Sequence, residues 1–524
     1  MQPVANLTYA VGRYGGQYIL KQFSDMIESP GEIIIENPGV ISGLGKSLYN
    51  EPYHEYLFSL VDSLGQEHSN IIFAPNPPHA RKTADFLSKR MKTSQDIHGT
   101  LRSLSEYIKK FVHPSYDLSD MVLNGVAYHT GKTPFHVRRV IEEGYSDGLI
   151  KNIVCTTTLM QGVNLPAQNL FIRNPRLFVR RTSPNAPELS NYEFANLRGR
   201  AGRLLKDFIG RTIVLDESSF APEDGEEDKL FGDTHKELKA GYKELYEEYE
   251  EEILSSIFND EEVSSGPEKY ILTYIRQTLL RLKEKGLERL QEVGVNISQE
   301  YAEKILKRLS DLKIPYPFCI QNRYWDPLDL EQIYQDYTNG QIPPLTPNIW
   351  DSDLVTNLRE LIIYHLENFH YYFQRYLGNP RGNIDKFVWG LCKYAESWGR
   401  ENMLSEILSR RGFTGDINNE IDNAISMLTG KVVYGLPMLL KPIASISDEE
   451  NPVLNIIEQG AYNSITRLLI DKGVPRDTSI HLQRTILSDI QGDETNLSEL
   501  VSKRIQRNSA QIDYWTMKQL NSII

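Results

Sequence analysis

Cysteine is scarce in this chain. Cys155, Cys319 and Cys392 are its three examples in 524 residues, far apart, with no CxxC pair and no His/Cys cluster at metal-ligand spacing, which argues against a disulfide framework and a zinc site. The opening Met1-Gln2-Pro3-Val4-Ala5-Asn6 lacks a basic segment followed by an apolar one, and no apolar run approaches the length that crosses a bilayer. The expectation is a reduced, cytoplasmic protein with no membrane partner. Positive charge is not in excess either: 57 Lys and Arg stand against 70 Asp and Glu, a net charge of −13. Any nucleic-acid contact must therefore come from a local basic surface. The 35 glycines and 26 prolines are near ordinary usage, which excludes a collagen-like or wholly disordered chain. What remains is a soluble globular composition, 40% hydrophobic and 24% charged, long enough for roughly three or four domains.

Between about residues 70 and 215, short β-rich runs alternate with amphipathic helical patterns, the signature of a parallel sheet covered by helices. Ile71-Ile72-Phe73-Ala74, Gly125-Val126-Ala127-Tyr128, Ile153-Val154-Cys155, Leu170-Phe171-Ile172 and Thr212-Ile213-Val214-Leu215 read as buried strands. Pro78 to Arg90 and Pro134 to Asp147 read as helices. Residues 1–50 are expected to be a linker or the remnant of a preceding domain, despite a strand-like Glu32-Ile33-Ile34-Ile35 before the Asn37-Pro38-Gly39 turn signal. The expected divisions are then 51–216 as an α/β domain, 217–265 as an acidic linker and helix, and 266–524 as a large, mostly α-helical C-terminal region, divisible into two subdomains.

The sharpest chemical signal is Asn196-Leu197-Arg198-Gly199-Arg200-Ala201-Gly202-Arg203. Arg200 and Arg203, three apart on a helical turn, present two guanidinium forks to one side, and the small residues around them allow a phosphate-bearing surface to come close. The competing reading is a solvated arginine pair, since short motifs carry false-positive risk. Upstream blocks supply context: Val126-Ala127-Tyr128-His129-Thr130-Gly131, Arg138-Arg139-Val140-Ile141-Glu142, Gly148-Leu149-Ile150-Lys151, and Thr156-Thr157-Thr158-Leu159-Met160-Gln161-Gly162-Val163-Asn164-Leu165-Pro166-Ala167.

In this order and spacing the blocks resemble the second motor domain of superfamily 2 DExH-box helicases, closest to the branch of antiviral and exosome-associated RNA helicases and archaeal DNA-repair helicases. Residues 156–167 resemble that family's motif V and residues 196–203 its motif VI. The resemblance implies a RecA-like α/β fold that closes on a first motor domain, with ATP and Mg²⁺ between the two and a nucleic-acid strand across both. It implies Arg200 and Arg203 as arginine fingers on the β/γ-phosphates, with Gly162, Asn164 and Asn196 near the nucleotide. Thr156 and Thr158 would grip the phosphates of the strand, positioning it without reading sequence. Read without the family, these threonines are ordinary β-branched filling of a strand and turn.

Two departures stand out: Asn196 replaces the family's Gln, and Pro77 stands where relatives commonly carry Arg. The larger one is the first motor domain, whose Walker A lysine and DExH carboxylates do not appear. Gly39 to Ser47 and Gly125 to Thr133 look like P-loops, but each has one residue too many between the outer glycine and Gly-Lys, which changes which N–H groups point into a phosphate nest. Asp216-Glu217 follows motif VI, whereas the family's acidic box precedes it, so it reads as a loop. The Mg²⁺ ligands are therefore expected on a first motor domain supplied by a partner chain or an upstream segment, and the isolated chain is expected not to hydrolyse ATP.

From Arg173 to Arg211, nine basic residues face three acidic ones, a local charge of +6 that makes an adequate footprint for phosphates. The expected partner is DNA or RNA, single-stranded or an unwinding duplex. The aromatic run from Tyr364 to Tyr376 could stack bases, but its helical spacing favours core. The function expected is the C-terminal part of an ATP-dependent helicase or translocase; the alternative is a non-enzymatic nucleic-acid-binding or scaffold protein that retains a RecA-like fold.

Overall fold

The structure is a computed structural model describing residues 5–14, 17–23, 32–35, 51–65, 68–91, 99–157, 167–173, 209–215, 241–259, 263, 265–410, 412, 415–446, 451–492 and 496–520. Eight strands form one sheet: β1 (Ala5–Tyr14), β2 (Gln17–Phe23), β3 (Glu32–Ile35), β4 (Asn70–Phe73), β5 (Val126–His129), β6 (Asn152–Cys155), β7 (Asn169–Ile172) and β8 (Ile209–Val214). Their order across the sheet is β3-β2-β1-β8-β7-β4-β6-β5. The five strands from β8 to β5 are all parallel, as the continuous apolar runs imply, and every residue of β4, β5, β6 and β7 is buried. The α/β fold expected from the sequence is therefore present, followed by a mostly helical remainder.

Two features of this sheet were not expected. Within residues 1–50, read as linker or remnant, lie three strands of the sheet: β1 runs parallel to β8, and β2 and β3 follow antiparallel. Tyr14 pairs with Gln17 across Gly15-Gly16, a dipeptide that signals a two-residue hairpin. The second feature is an asparagine rail where three central strands begin. The Asn70 side chain donates to Asn152 Oδ1 at 2.8 Å and accepts from Asn169 Nδ2 at 2.8 Å. All three are buried, so a one-residue slip of any strand would leave amides unpaired in the core; the rail pins the register.

Helices α1 (Glu51–Gly65), α2 (Pro77–Arg90), α3 (Thr100–Phe111), α4 (Leu118–Met121) and α5 (Phe135–Ser146) accompany the sheet. Asn76 caps α2 by accepting from His79 N–H at 3.0 Å, Pro77 occupies the first turn where no N–H is needed, and Lys89 and Arg90 sit in the last turn. Ala80, Thr83, Ala84 and Leu87 form its buried stripe.

The chain divides into two compact units, and the division is not the linear one expected. The first unit takes residues 1–234, 404–425 and 472–524; the second takes 235–403 and 426–471. Within the first, two late segments pack on the sheet domain through buried polar contacts that no local periodicity announces. Arg81 on α2 pairs with Asp422 and, at 3.5 Å, with Asp117, and it donates to Asn419 Oδ1 at 3.2 Å. Trp515, 1% exposed, donates its indole N–H to Ser103 Oγ at 3.0 Å. Gln519 donates to the Tyr107 hydroxyl at 2.9 Å and accepts from Thr478 at 2.8 Å.

The second unit is helical in its described residues. At its centre Lys269 meets Asp329 at 2.7 Å, Arg276 meets Asp326 at 2.7 Å, and the Tyr372 hydroxyl donates to Asp329 at 2.9 Å. Tyr372 stacks on Trp325 with ring centroids 3.7 Å apart, and Phe369, Phe373 and Tyr376 are buried beside them. The core reading of this aromatic run therefore holds. A nine-residue π-helix, Met427–Gly435, brings Gly435 against the backbone of Tyr376, an approach only glycine permits. Among the described residues no helix is long and apolar enough to cross a membrane.

Candidate nucleic-acid interface

In a parallel sheet every strand delivers its following loop to the same edge. The residues after β4, β5, β6 and β7 therefore converge: Ala74 to Asn76, Thr130 to Thr133, Thr156-Thr157 and Arg173. After β4 the chain builds β5 and β6 on one side, then crosses to build β7 and β8 on the other. Strand order therefore reverses between β4 and β7, and the carboxyl ends of strands at such a switch point are where open α/β sheets take ligands.

Of the residues expected to act, Thr156 is at this edge. It is 5% exposed, and its N–H donates to the His129 carbonyl at 3.3 Å, extending the ladder one step beyond β5 and β6. That N–H is committed within the sheet, so the phosphate grip expected of Thr156 rests on its side chain. Thr158, Gly162, Asn164, Asn196, Arg200 and Arg203 lie outside the described residues, as do most of the basic stretch between Arg173 and Arg211, the Gly39–Ser47 look-alike and Asp216-Glu217.

The second P-loop look-alike can be judged directly. Thr130 N–H donates to Thr133 Oγ1 at 3.3 Å, Lys132 N–H to Thr130 Oγ1 at 3.2 Å, and Thr133 N–H to the Thr130 carbonyl at 3.1 Å. Three of the loop's N–H groups are thus turned inward onto its own threonines, so the loop is no phosphate nest. Next to it His129, fully buried, pairs with Glu142 at 3.0 Å, joining β5 to α5.

At the carboxyl ends of β4 and β7 the structure packs Arg173, the first residue of the basic stretch, in a way the sequence reading did not anticipate. Arg173, buried at the end of β7, lies 5.3 Å over the ring of Tyr53 at the start of α1. His54 packs edge-on against Tyr53 at 5.3 Å, stacks on Phe86 at 5.2 Å and holds Thr83 Oγ1 at 3.1 Å. Burial, then Lys82 and His79, push the His54 imidazole down to about 4. Burial, then Lys82 and Arg173, also push His79 below its ordinary value. Both rings are therefore neutral at pH 7 and sit in a positive field. The available signal was the capped Asn76-Pro77-Pro78-His79 helix start, which aims the first turn of α2 at the edge. Among the described residues there is no group of three or more His, Cys, Asp or Glu side chains that could hold a metal ion.

No protein-family model matches the chain. Individual relatives do. The chain is 28% identical over 172 residues to the ATP-dependent DNA helicase Hel308 of Pyrobaculum calidifontis, covering 32% of this chain and 24% of that protein. It is 33% identical over 141 residues to the Hel308 of Methanocella arvoryzae, covering 26% of this chain and 18% of that protein. To the human helicase POLQ-like protein it is 29% identical over 167 residues, or 31% of this chain and 14% of that protein. The similar stretch spans less than a quarter of the length of each of these relatives. Over about a third of the chain, then, the sequence is similar to ATP-dependent DNA helicases.

Proposed function

We propose that this chain carries the second motor domain of an ATP-dependent superfamily 2 helicase or translocase acting on DNA. The observation that carries the reading is the coincidence of three facts. The motif blocks occur in family order, the five-stranded parallel core sends two of them, after β5 and β6, to one edge, and the relatives named above are DNA helicases. Arg200 and Arg203 would complete a nucleotide site built mainly by a first motor domain, which would also hold Mg²⁺. Gly162, Asn164 and Asn196 would border the nucleotide. Thr156 and Thr158 would hold the strand by its phosphates, which fixes its register without selecting sequence. ATP supplies the free energy and closes the two domains; this chain's part is to present guanidinium charge where negative charge develops and to hold the strand while it does so.

The test is a motor assembled from this chain and a segment carrying the Walker A and DExH motifs. Arg203→Ala should lower its DNA-stimulated ATPase by about 10³–10⁵-fold while strand binding stays within a few-fold. Normal turnover in that variant would remove the arginine-finger assignment. An assembled motor that binds DNA but never hydrolyses ATP would favour the non-enzymatic binding protein instead.

A further inference from the structure

We propose that a recess in the helical unit, floored by Arg276, is a docking site for an aspartate or glutamate side chain of a partner protein. The inference is independent of the helicase reading, since every residue it uses lies in the second unit and outside the motif blocks.

Four helices wall the recess: Glu250–Asn259, Gly266–Leu282, Gln299–Ser310 and Pro327–Thr338. Ile257, Ile305 and Leu328 give it apolar sides. Its polar lining is Arg276 with Lys304 and Arg308, and no acidic side chain is among the described lining residues. Lys304 and Arg308 stand four apart on one helix, so both project to the same side.

Arg276 is 6% exposed, and its Nη1 meets Asp326 Oδ2 at 2.7 Å. Asp326 also lies 3.6 Å from Lys269, which in turn holds Asp329 at 2.7 Å. Two carboxylates thus balance two cations inside the unit. That balance uses one corner of the Arg276 guanidinium. Its Nε and Nη2 have no hydrogen-bond acceptor among the described residues, and neither atom is sealed from solvent. These two N–H groups share one edge of the fork, the edge that takes a carboxylate by two parallel hydrogen bonds. Such donors, held in a nearly buried position, favour whatever group supplies the missing acceptors. At the rim, the Lys304 ammonium lies 5.0 Å over the Phe258 ring and donates to the Phe258 carbonyl. That acceptor is neutral, so the bond leaves the lysine's charge uncancelled and occupies one of its three donors.

Size selects the occupant. The recess holds about 20 Å³, room for the oxygens of a carboxylate but not for a whole metabolite. A phosphodiester, flanked by sugars on both sides, would stay at the rim. The ligand is therefore the tip of a larger molecule whose methylenes pass between apolar walls, as those of an acidic side chain do. Phe258, 65% exposed next to Lys304, offers contact to an apolar neighbour of that side chain. In a chain of net charge −13, an acidic partner is drawn only to a local cationic place of this kind.

The experiment uses the full chain. An array of octapeptides, each setting one Asp or Glu among Leu and Phe neighbours, is probed beside the same array with Asn and Gln in place of the acids. The strongest binder is then measured by fluorescence anisotropy, with a labelled single-stranded oligodeoxynucleotide as the second probe. Arg276→Lys keeps a cation opposite Asp326 but has no fork edge, and its thermal midpoint reports whether it folds. Lys304→Gln changes an exposed side chain and carries the test if Arg276→Lys does not fold. Lys307→Gln, on an exposed lysine of the same helix outside the recess, is the control. Expected is binding of acidic peptides alone, weakened about tenfold by Arg276→Lys and about threefold by Lys304→Gln, with Lys307→Gln within about twofold. Absence of acidic-peptide binding by the unmodified chain, equal binding of the amide array, or undiminished binding by the folded variants would each overturn the proposal. Oligonucleotide binding that these variants weaken, with no peptide bound, would assign the recess to a nucleic-acid phosphate and overturn it as well.

Discussion

Arg81→Met would test whether residues 415–425 are a structural part of the sheet domain. The Arg81 guanidinium reaches Asp422, whose side chain is 5% exposed, and Asp117, and it donates to the Asn418 carbonyl at 3.3 Å. Removing one partner of a buried ion pair costs about 3–5 kcal/mol, because the other charge is left unpaired. The pH dependence follows from Asp422, whose carboxyl burial pushes up from 3.8 to about 6 despite the attraction of Arg81. Between those values the folded protein binds the Asp422 proton more tightly than the unfolded chain, so this group's contribution to stability is fully present below pH 3.8 and is lost as pH rises through about 6, by about 3 kcal/mol in all. Without Arg81 the carboxyl rises further, so the variant's deficit is greatest near pH 8 and shrinks toward pH 4. Amide hydrogen exchange of peptides covering 415–425 reads this locally, as a loss of protection of about two to four orders of magnitude at pH 8. Adding Asp422→Leu to the variant should restore most of the protection, since an apolar pair of similar volume replaces a buried charge pair at little cost. A deficit below about 1 kcal/mol at pH 8, or no recovery in the double variant, would refute the claim that this ion pair holds the segment in place.

Two further outcomes are expected in the helical unit. His365 is fully buried, donates Nδ1–H to the Leu361 carbonyl at 2.7 Å, and is pushed down to about 4 by desolvation. The unfolded chain therefore binds its proton first as pH falls, so stability that is full above about 6.5 is lost toward pH 4, by about 3 kcal/mol; His365→Leu should flatten that part of the unfolding midpoint against pH, and an unchanged slope would contradict the account. Gly435→Ala would place a Cβ 2.3 Å from the Tyr376 carbonyl oxygen, whereas Gly430→Ala meets nothing within 4 Å. The first should cost about 1–3 kcal/mol in a denaturation series and the second almost nothing; equal costs would mean that the π-helix is not held by this close approach.

The sequence by itself determined the parallel core and its contents. Short continuous apolar runs such as Ile71-Ile72-Phe73 can be satisfied only where both faces are covered, and capped helix starts such as Asn76-Pro77 announce themselves locally. It also delivered the motif blocks, because their order and spacing are properties of the chain. The edge at which Thr156 stands, with its N–H already committed to His129, followed only from the strand order. Tertiary structure alone decided the rest: that β1, β2 and β3 extend the sheet, that 404–425 and 472–524 return to the first unit, and that Arg173 lies over Tyr53, which packs against His54. The physical reason is common to all three. Partners such as Arg81 and Asp422 are joined by burial and charge across hundreds of residues, and a single chain read in order carries no periodicity that records which distant group will neutralise which.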